Sequence, residues 1–209
     1  MNTVSGYLLL VEDDPDILKL LDTTLTFSGY RVVTARNGRE GLEAIHKERP
    51  EIVITDIMMP KLDGFGLVHR LRLNPETREI PVVFITATYV APEDREFAYD
   101  VGATHFIQKP LNLDEFLGTI AELLEKGLPV TIEALDEFKF YDGYRSRLEA
   151  KLEQLNKQIA RDKLLLGDQT DAGSEALKTS FHKSVAERDD ITLLLEQIRE
   201  QLNKYPKPE

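Results

Sequence analysis

Short apolar, β-branched runs alternate with helix-period stretches over the first 126 residues of the chain. The runs fall at Tyr7–Val11, Arg31–Thr34, Ile52–Thr55, Val82–Thr86 and Thr104–Ile107. Between and after them, apolar spacings of three and four predict helices over 15–28, 38–47, 64–73, 92–101 and 112–126. Ile17, Leu18, Leu21 and Leu25 mark the buried stripe of the first. Strands alternating with helices of this length imply right-handed βαβ crossovers and a five-stranded parallel sheet in one doubly wound α/β domain. The punctuation agrees. Asp14-Pro15 reads as an N-cap followed by proline at the first helical position, Gly29 and Gly102 close helices, and Asn112 or Asp114 opens the fifth.

Gly127-Leu128-Pro129 interrupts this rhythm, and the pattern beyond it differs in kind. From Thr131, an expected N-cap, Leu148, Leu152, Leu155, Ile159 and Leu166 step by threes and fours, broken at polar Asp162. After the breaker 167–173 the stepping resumes through Leu177, Phe181, Val185, Arg188, Ile191, Leu195, Ile198 and Leu202. Two long helices joined by a short polar loop predict an all-α antiparallel hairpin. The expected organisation is a domain over 1–126, a linker at 127–130 and a helical region over 131–209. A lone hairpin buries only narrow stripes, so pairing with a second copy into a four-helix bundle or coiled coil is expected. Leu148, Leu152, Leu155, Ile159, Leu177, Phe181, Ile191, Leu195, Ile198 and Leu202 are the candidate dimerisation stripe.

Charge narrows the partners. The chain carries a net −11; residues 1–126 hold 13 basic against 21 acidic residues, and 127–209 hold 13 against 16. Neither part attracts polyanions non-specifically, so neither nucleic acid nor a membrane surface is expected as a partner. With no cysteine, disulfides, thiolate catalysis and zinc–thiolate sites are excluded. No leader-like segment and no apolar run of spanning length occurs, which predicts a soluble cytoplasmic protein.

Four islands sit at the downstream ends of the apolar runs: Glu12-Asp13-Asp14, Asp56, Thr86 and Lys109-Pro110. In a parallel sheet those ends converge on one rim, where open α/β folds place their ligands. Carboxylates, a hydroxyl and an ammonium gathered there make a Mg²⁺ site with an aspartate beside it, the chemistry of taking up a phosphoryl group. Two acids past a buried strand, Glu12 and Asp13, would repel each other without a cation, whereas Asp14 is a helix cap on any reading.

Residues 6 to about 126 resemble the receiver domain of bacterial two-component response regulators. The resemblance rests on Leu9-Leu10-Val11-Glu12-Asp13-Asp14-Pro15, Thr55-Asp56-Ile57-Met58-Met59-Pro60-Lys61-Leu62-Asp63-Gly64, Ile85-Thr86-Ala87 and Phe106-Ile107-Gln108-Lys109-Pro110. It implies that Asp56 is the phosphoacceptor, that Asp13, Asp56 and the main-chain carbonyl of Met58 bind Mg²⁺, and that Glu12 acts nearby or through water. Many relatives have aspartate at the position of Glu12. The resemblance further implies that Lys109, held by a cis bond to Pro110, pairs with a phosphoryl oxygen. Thr86 would hydrogen-bond another, small Ala87 would leave room for the group, and Phe106 would be the aromatic switch coupled to Thr86. A histidine kinase or phosphotransfer protein is the implied donor. The expected output is a switch of the hairpin, acting by homodimerisation and contact with a downstream protein, with phosphoryl chemistry limited to single turnovers rather than enzymatic catalysis.

An alternative is a hairpin that works as a phosphatase or phosphotransfer module on receiver aspartates. Glu153 with Asn156 and Glu200 with Asn203 place an acid three residues before an asparagine, and His182 lies on a helix. In helices rich in Glu, Gln, Asn and Lys such pairs recur by chance, and the residues flanking His182 match no phosphohistidine motif.

Overall fold

A computed structural model describes residues 6–87, 91–126, 136–167 and 174–205. The chain divides into two compact units between Leu135 and Asp136. The expected linker and the expected cap Thr131 lie outside the described residues.

The first unit is a five-stranded parallel sheet in the order β2-β1-β3-β4-β5. Its strands are β1 (Leu8–Val11), β2 (Val32–Ala35), β3 (Ile52–Thr55), β4 (Val82–Thr86) and β5 (His105–Gln108). Between and after them run α1 (Pro15–Phe27), α2 (Gly38–Lys47), α3 (Gly64–Leu73), α4 (Pro92–Asp100) and α5 (Leu113–Lys126). Side-chain alternation sorts the strands' two faces. Leu8, Leu10, Ile52, Ile54, Val83 and Ile85 form one core with Leu21 and Leu25 of α1 and Phe116, Ile120 and Leu123 of α5. On the other face Phe84 meets Phe65 of α3 edge-on at 5.3 Å, and Phe65 meets Phe97 of α4 at 5.0 Å. Helices therefore cover both faces, as continuous apolar strands require.

The caps follow the local sequence. The Asp14 carboxylate accepts from the N–H groups of Asp16 and Ile17, Asn37 caps α2, and Asp63 accepts from Gly66 N–H. Asn112, rather than Asp114, opens α5 by accepting from the N–H of Asp114 at 3.1 Å. Gly29 and Gly102 close α1 and α4 at φ of 90° and 101°, a region in which a side chain is strained. One feature had no local signature. Arg72 is buried and gives Nε and Nη2 to the Gly102 carbonyl and Nη1 to those of Arg78 and Ile80.

The second unit pairs α6 (Glu137–Gly167) with α7 (Ser174–Leu202), about 46 and 44 Å long at 1.5 Å per residue. The pairing is antiparallel. Arg199 meets Glu149 at 2.9 Å, Lys151 meets Glu187 at 3.3 Å, and Tyr205, just past α7, donates its hydroxyl to Glu137 at the start of α6. Of the candidate stripe, Leu148, Leu155, Ile191, Leu195 and Ile198 are buried, while Leu152, Ile159, Leu177, Phe181 and Leu202 are half-buried. No helix among the described residues is long and apolar enough to cross a membrane.

Candidate functional site

The sheet's carboxyl-end rim is set by main-chain ladder bonds. Glu12 N–H donates to Ala35 O at 3.0 Å, Asp56 N–H to Val11 O at 2.9 Å, and Lys109 N–H to Thr86 O at 2.8 Å. Each island residue thus begins where its strand's pairing stops, and its side chain projects into the crevice beyond.

Three charged groups interlock there. The Lys109 ammonium donates to Glu12 Oε2 and to Asp56 Oδ1, each at 2.8 Å. The other Asp56 oxygen accepts from Met58 N–H at 2.7 Å. Glu12 and Asp56 are buried, Met58 is half-buried, and Asp13 is exposed next to them. The Lys109–Pro110 bond is cis.

Burial dominates the electrostatics. It pushes the Glu12 carboxyl up to about 7, helped by Asp56 and opposed by Lys109. It also raises Asp56, against the pull of Lys109 and the Met58 N–H, with Asp13 adding to the rise. Burial disfavours the Lys109 charge, but Asp56 and Glu12 outweigh it and hold the ammonium above its ordinary range. One lysine therefore does not neutralise this pocket. Hard carboxylate oxygens are the donors that Mg²⁺ takes, so the donor chemistry fits that ion. Among the described residues no three acidic or histidine side chains converge as a ready metal cage, and Lys109 pairs with both Glu12 and Asp56.

The remaining predicted residues fall on the same side of the sheet or at its rim. Thr86 is the last residue of β4 and fully buried; Ala87 follows it, exposed. Phe106 pairs with Phe84, two residues before Thr86, so all three side chains share a sheet face. Phe106 is buried, and the Arg95 guanidinium of α4 lies 5.4 Å from its ring centre. Neither this contact nor the Glu12–Lys109 bond was signalled by spacing, because both join residues distant in sequence. Gly64 sits where an added Cβ would lie 2.3 Å from Asp56 O, so the β3–α3 loop closes tightly on Asp56. In the second unit His182, Asn156 and Asn203 are exposed.

Comparison with known proteins bears on the same segment. The family model described as "Response regulator receiver domain" matches residues 8–121. Transcriptional regulatory protein GlrR of Escherichia coli K12 is 33% identical over 187 residues, covering 88% of this chain and 40% of that protein. The probable transcriptional regulator ycf27 of Guillardia theta is 38% identical over 118 residues, 56% of this chain and 45% of that one. The chain thus spans less than half the length of these curated relatives. Among solved structures, the receiver domain of a signal transduction histidine kinase from Syntrophus aciditrophicus superposes with TM-score 0.54 at 34% identity, over 58% of this chain and 91% of that one. Chemotaxis protein CheY4 of Vibrio cholerae gives TM-score 0.54 at 33% identity, over 57% and 98%. Fold, rim chemistry and the match over more than half its length agree that this chain belongs to the response regulator receiver family of two-component signalling.

Proposed function

We propose that Asp56 accepts a phosphoryl group from the phosphohistidine of a partner kinase or phosphotransfer protein. An Asp56 carboxylate oxygen forms the new P–O bond as the P–N bond of the donor breaks. The observation that carries this is the Asp56 carboxylate itself: buried at the rim, aimed by Met58 N–H on one oxygen and paired with Lys109 on the other. Asp13, Asp56 and the Met58 carbonyl would hold Mg²⁺, with Glu12 beside them. When bound, the ion removes the repulsion between the carboxylate and the phosphoryl oxygens. The Lys109 ammonium then turns from Asp56 to a phosphoryl oxygen, and the Thr86 hydroxyl takes another. Ala87 leaves the approach open. Movement of Thr86 toward the acyl phosphate changes the space beside Phe106, which alters the surface around α4 and β5.

The helical unit is the output. It acts by pairing with a second copy and by contact with a downstream protein, not by binding nucleic acid, and the phosphoryl chemistry stays single-turnover. In support, the chain's charge is negative in both parts and the half-buried half of the apolar stripe remains partly uncovered in one chain. The test is labelling by acetyl phosphate with Mg²⁺. The wild-type chain gains one phosphoryl group by mass and Asp56→Asn gains none; persistent labelling of the variant would contradict the assignment.

A further inference from the structure

The hairpin is packed unevenly along its length. Among the described residues, every buried side chain of α6 lies at or before Leu155, and every one of α7 at or after Ser184. The loop half, described over 156–166 and 175–183, has none. There Ile159, Leu177 and Phe181 are only half-buried, and Leu164 and Leu165 stand 73% and 51% exposed. Asp162 Oδ2, in the same stretch, is shielded from water yet accepts no hydrogen bond among the described residues. Apolar surface left in water points to a missing cover.

Charge says what the cover is. On its helices the loop half carries Lys157, Arg161, Lys163, Lys178 and Lys183 against Asp162 and Glu175; the connection adds Asp168 and Asp171. The open half, 136–155 with 184–205, carries seven basic against ten acidic residues. The loop half with its connection is thus net +1 and the open half net −3, so the two ends of one hairpin differ in sign. Leu193, 57% exposed, and half-buried Leu152 and Leu194 give the acidic half its own apolar surface.

We infer that the loop half is covered by a second copy of the hairpin laid antiparallel, so that each loop half lies on the other's open half in a twofold-symmetric four-helix bundle. This rests on the dimer proposed above and fixes its orientation. A twofold interface repeats every contact, so basic-on-acidic matching occurs twice. A parallel pair would instead set each basic end against its own copy.

The absence of cysteine makes the test direct. Leu164→Cys in the full chain, spin-labelled, is expected to give a label–label distance of about 30–40 Å, because the two sites lie on opposite sides of the bundle's midpoint at 1.5 Å per residue. Lys178→Cys, at another exposed position, repeats the measurement should the first variant be disturbed. A distance under about 20 Å, set by neighbouring helix axes alone, overturns the antiparallel arrangement and leaves the dimer. A monomeric mass with no measurable distance overturns both and leaves the face to a different partner. Lys163→Glu with Lys178→Glu is expected to weaken dimerisation at least tenfold, and an unchanged dissociation constant would overturn the charge matching. None of these outcomes alters phosphoryl labelling of Asp56, which tests the receiver separately.

Discussion

At the scale of single residues, Lys109 governs the acidic pocket. Its ammonium is shared between two buried carboxylates, an arrangement whose Coulombic gain is set against the cost of removing three charges from water. The imbalance is visible in Glu12, pushed to about 7 from an ordinary value of 4.5, and in the upward shift of Asp56. A carboxyl raised on folding binds protons more tightly in the folded than in the unfolded chain. Its stabilisation is complete below the unfolded value and is lost as pH rises through the folded one. Without Mg²⁺ the receiver is therefore expected to lose stability between pH 4.5 and about 7, and Glu12→Gln should flatten that slope. The stability lost between pH 4 and pH 8 should be on the order of 3 kcal/mol greater in the wild type than in that variant. Urea denaturation across the pH range checks this; a slope that the substitution leaves unchanged would clear Glu12 of the role.

At the scale of elements, the strands deliver the acids and the loops aim them. Every strand carrying a site residue ends on a ladder bond, so the rim is as rigid as the sheet. Arg72 does the corresponding work at the other end of the strands. Burial lowers its pKa to about 10, and its guanidinium faces carbonyls rather than a carboxylate. It joins the end of α3 to the entrance of β4 and to the α4–β5 turn at Gly102. Arg72→Met keeps much of the volume but strands those carbonyls, so a loss of about 3 kcal/mol is expected in urea denaturation. A change below about 0.5 kcal/mol would mean that the carbonyls find other donors. Gly102 belongs to the same clamp, since an added Cβ would meet Arg72 Nε at 2.6 Å.

At the scale of the whole molecule, the chain holds two units with separate cores and different sources of stability. The receiver core is closed by helices on both faces of its sheet, whereas the hairpin has one seam and half of it is open. Calorimetry of the full chain is expected to show two transitions. Mg²⁺ raises only the receiver's transition, and protein concentration raises only the hairpin's, because ligand and subunit each stabilise the unit that binds them. A single transition independent of concentration would contradict both the separation and the pairing.

How much of this was legible in the chain differs between the parts. The alternation of runs such as Ile52–Thr55 and Val82–Thr86 with 3.6-period stretches located all five strands and the five receiver helices to within a residue or so, because buried parallel strands must be apolar throughout. The cap at Asp14 was equally readable, being a contact within three residues. The convergence of Glu12, Asp56 and Lys109 was readable because the strand ends of a parallel sheet share one rim. Only the tertiary structure decided that Lys109 bridges Glu12 and Asp56 across 97 and 53 residues. The same holds for Arg72 against the Gly102 carbonyl, Arg95 over the Phe106 ring, and which half of the hairpin stripe is buried. Periodicity and caps are properties of neighbouring residues, so the sequence states them outright; which distant charge meets which, and how much apolar surface is left in water, depends on how the elements pack.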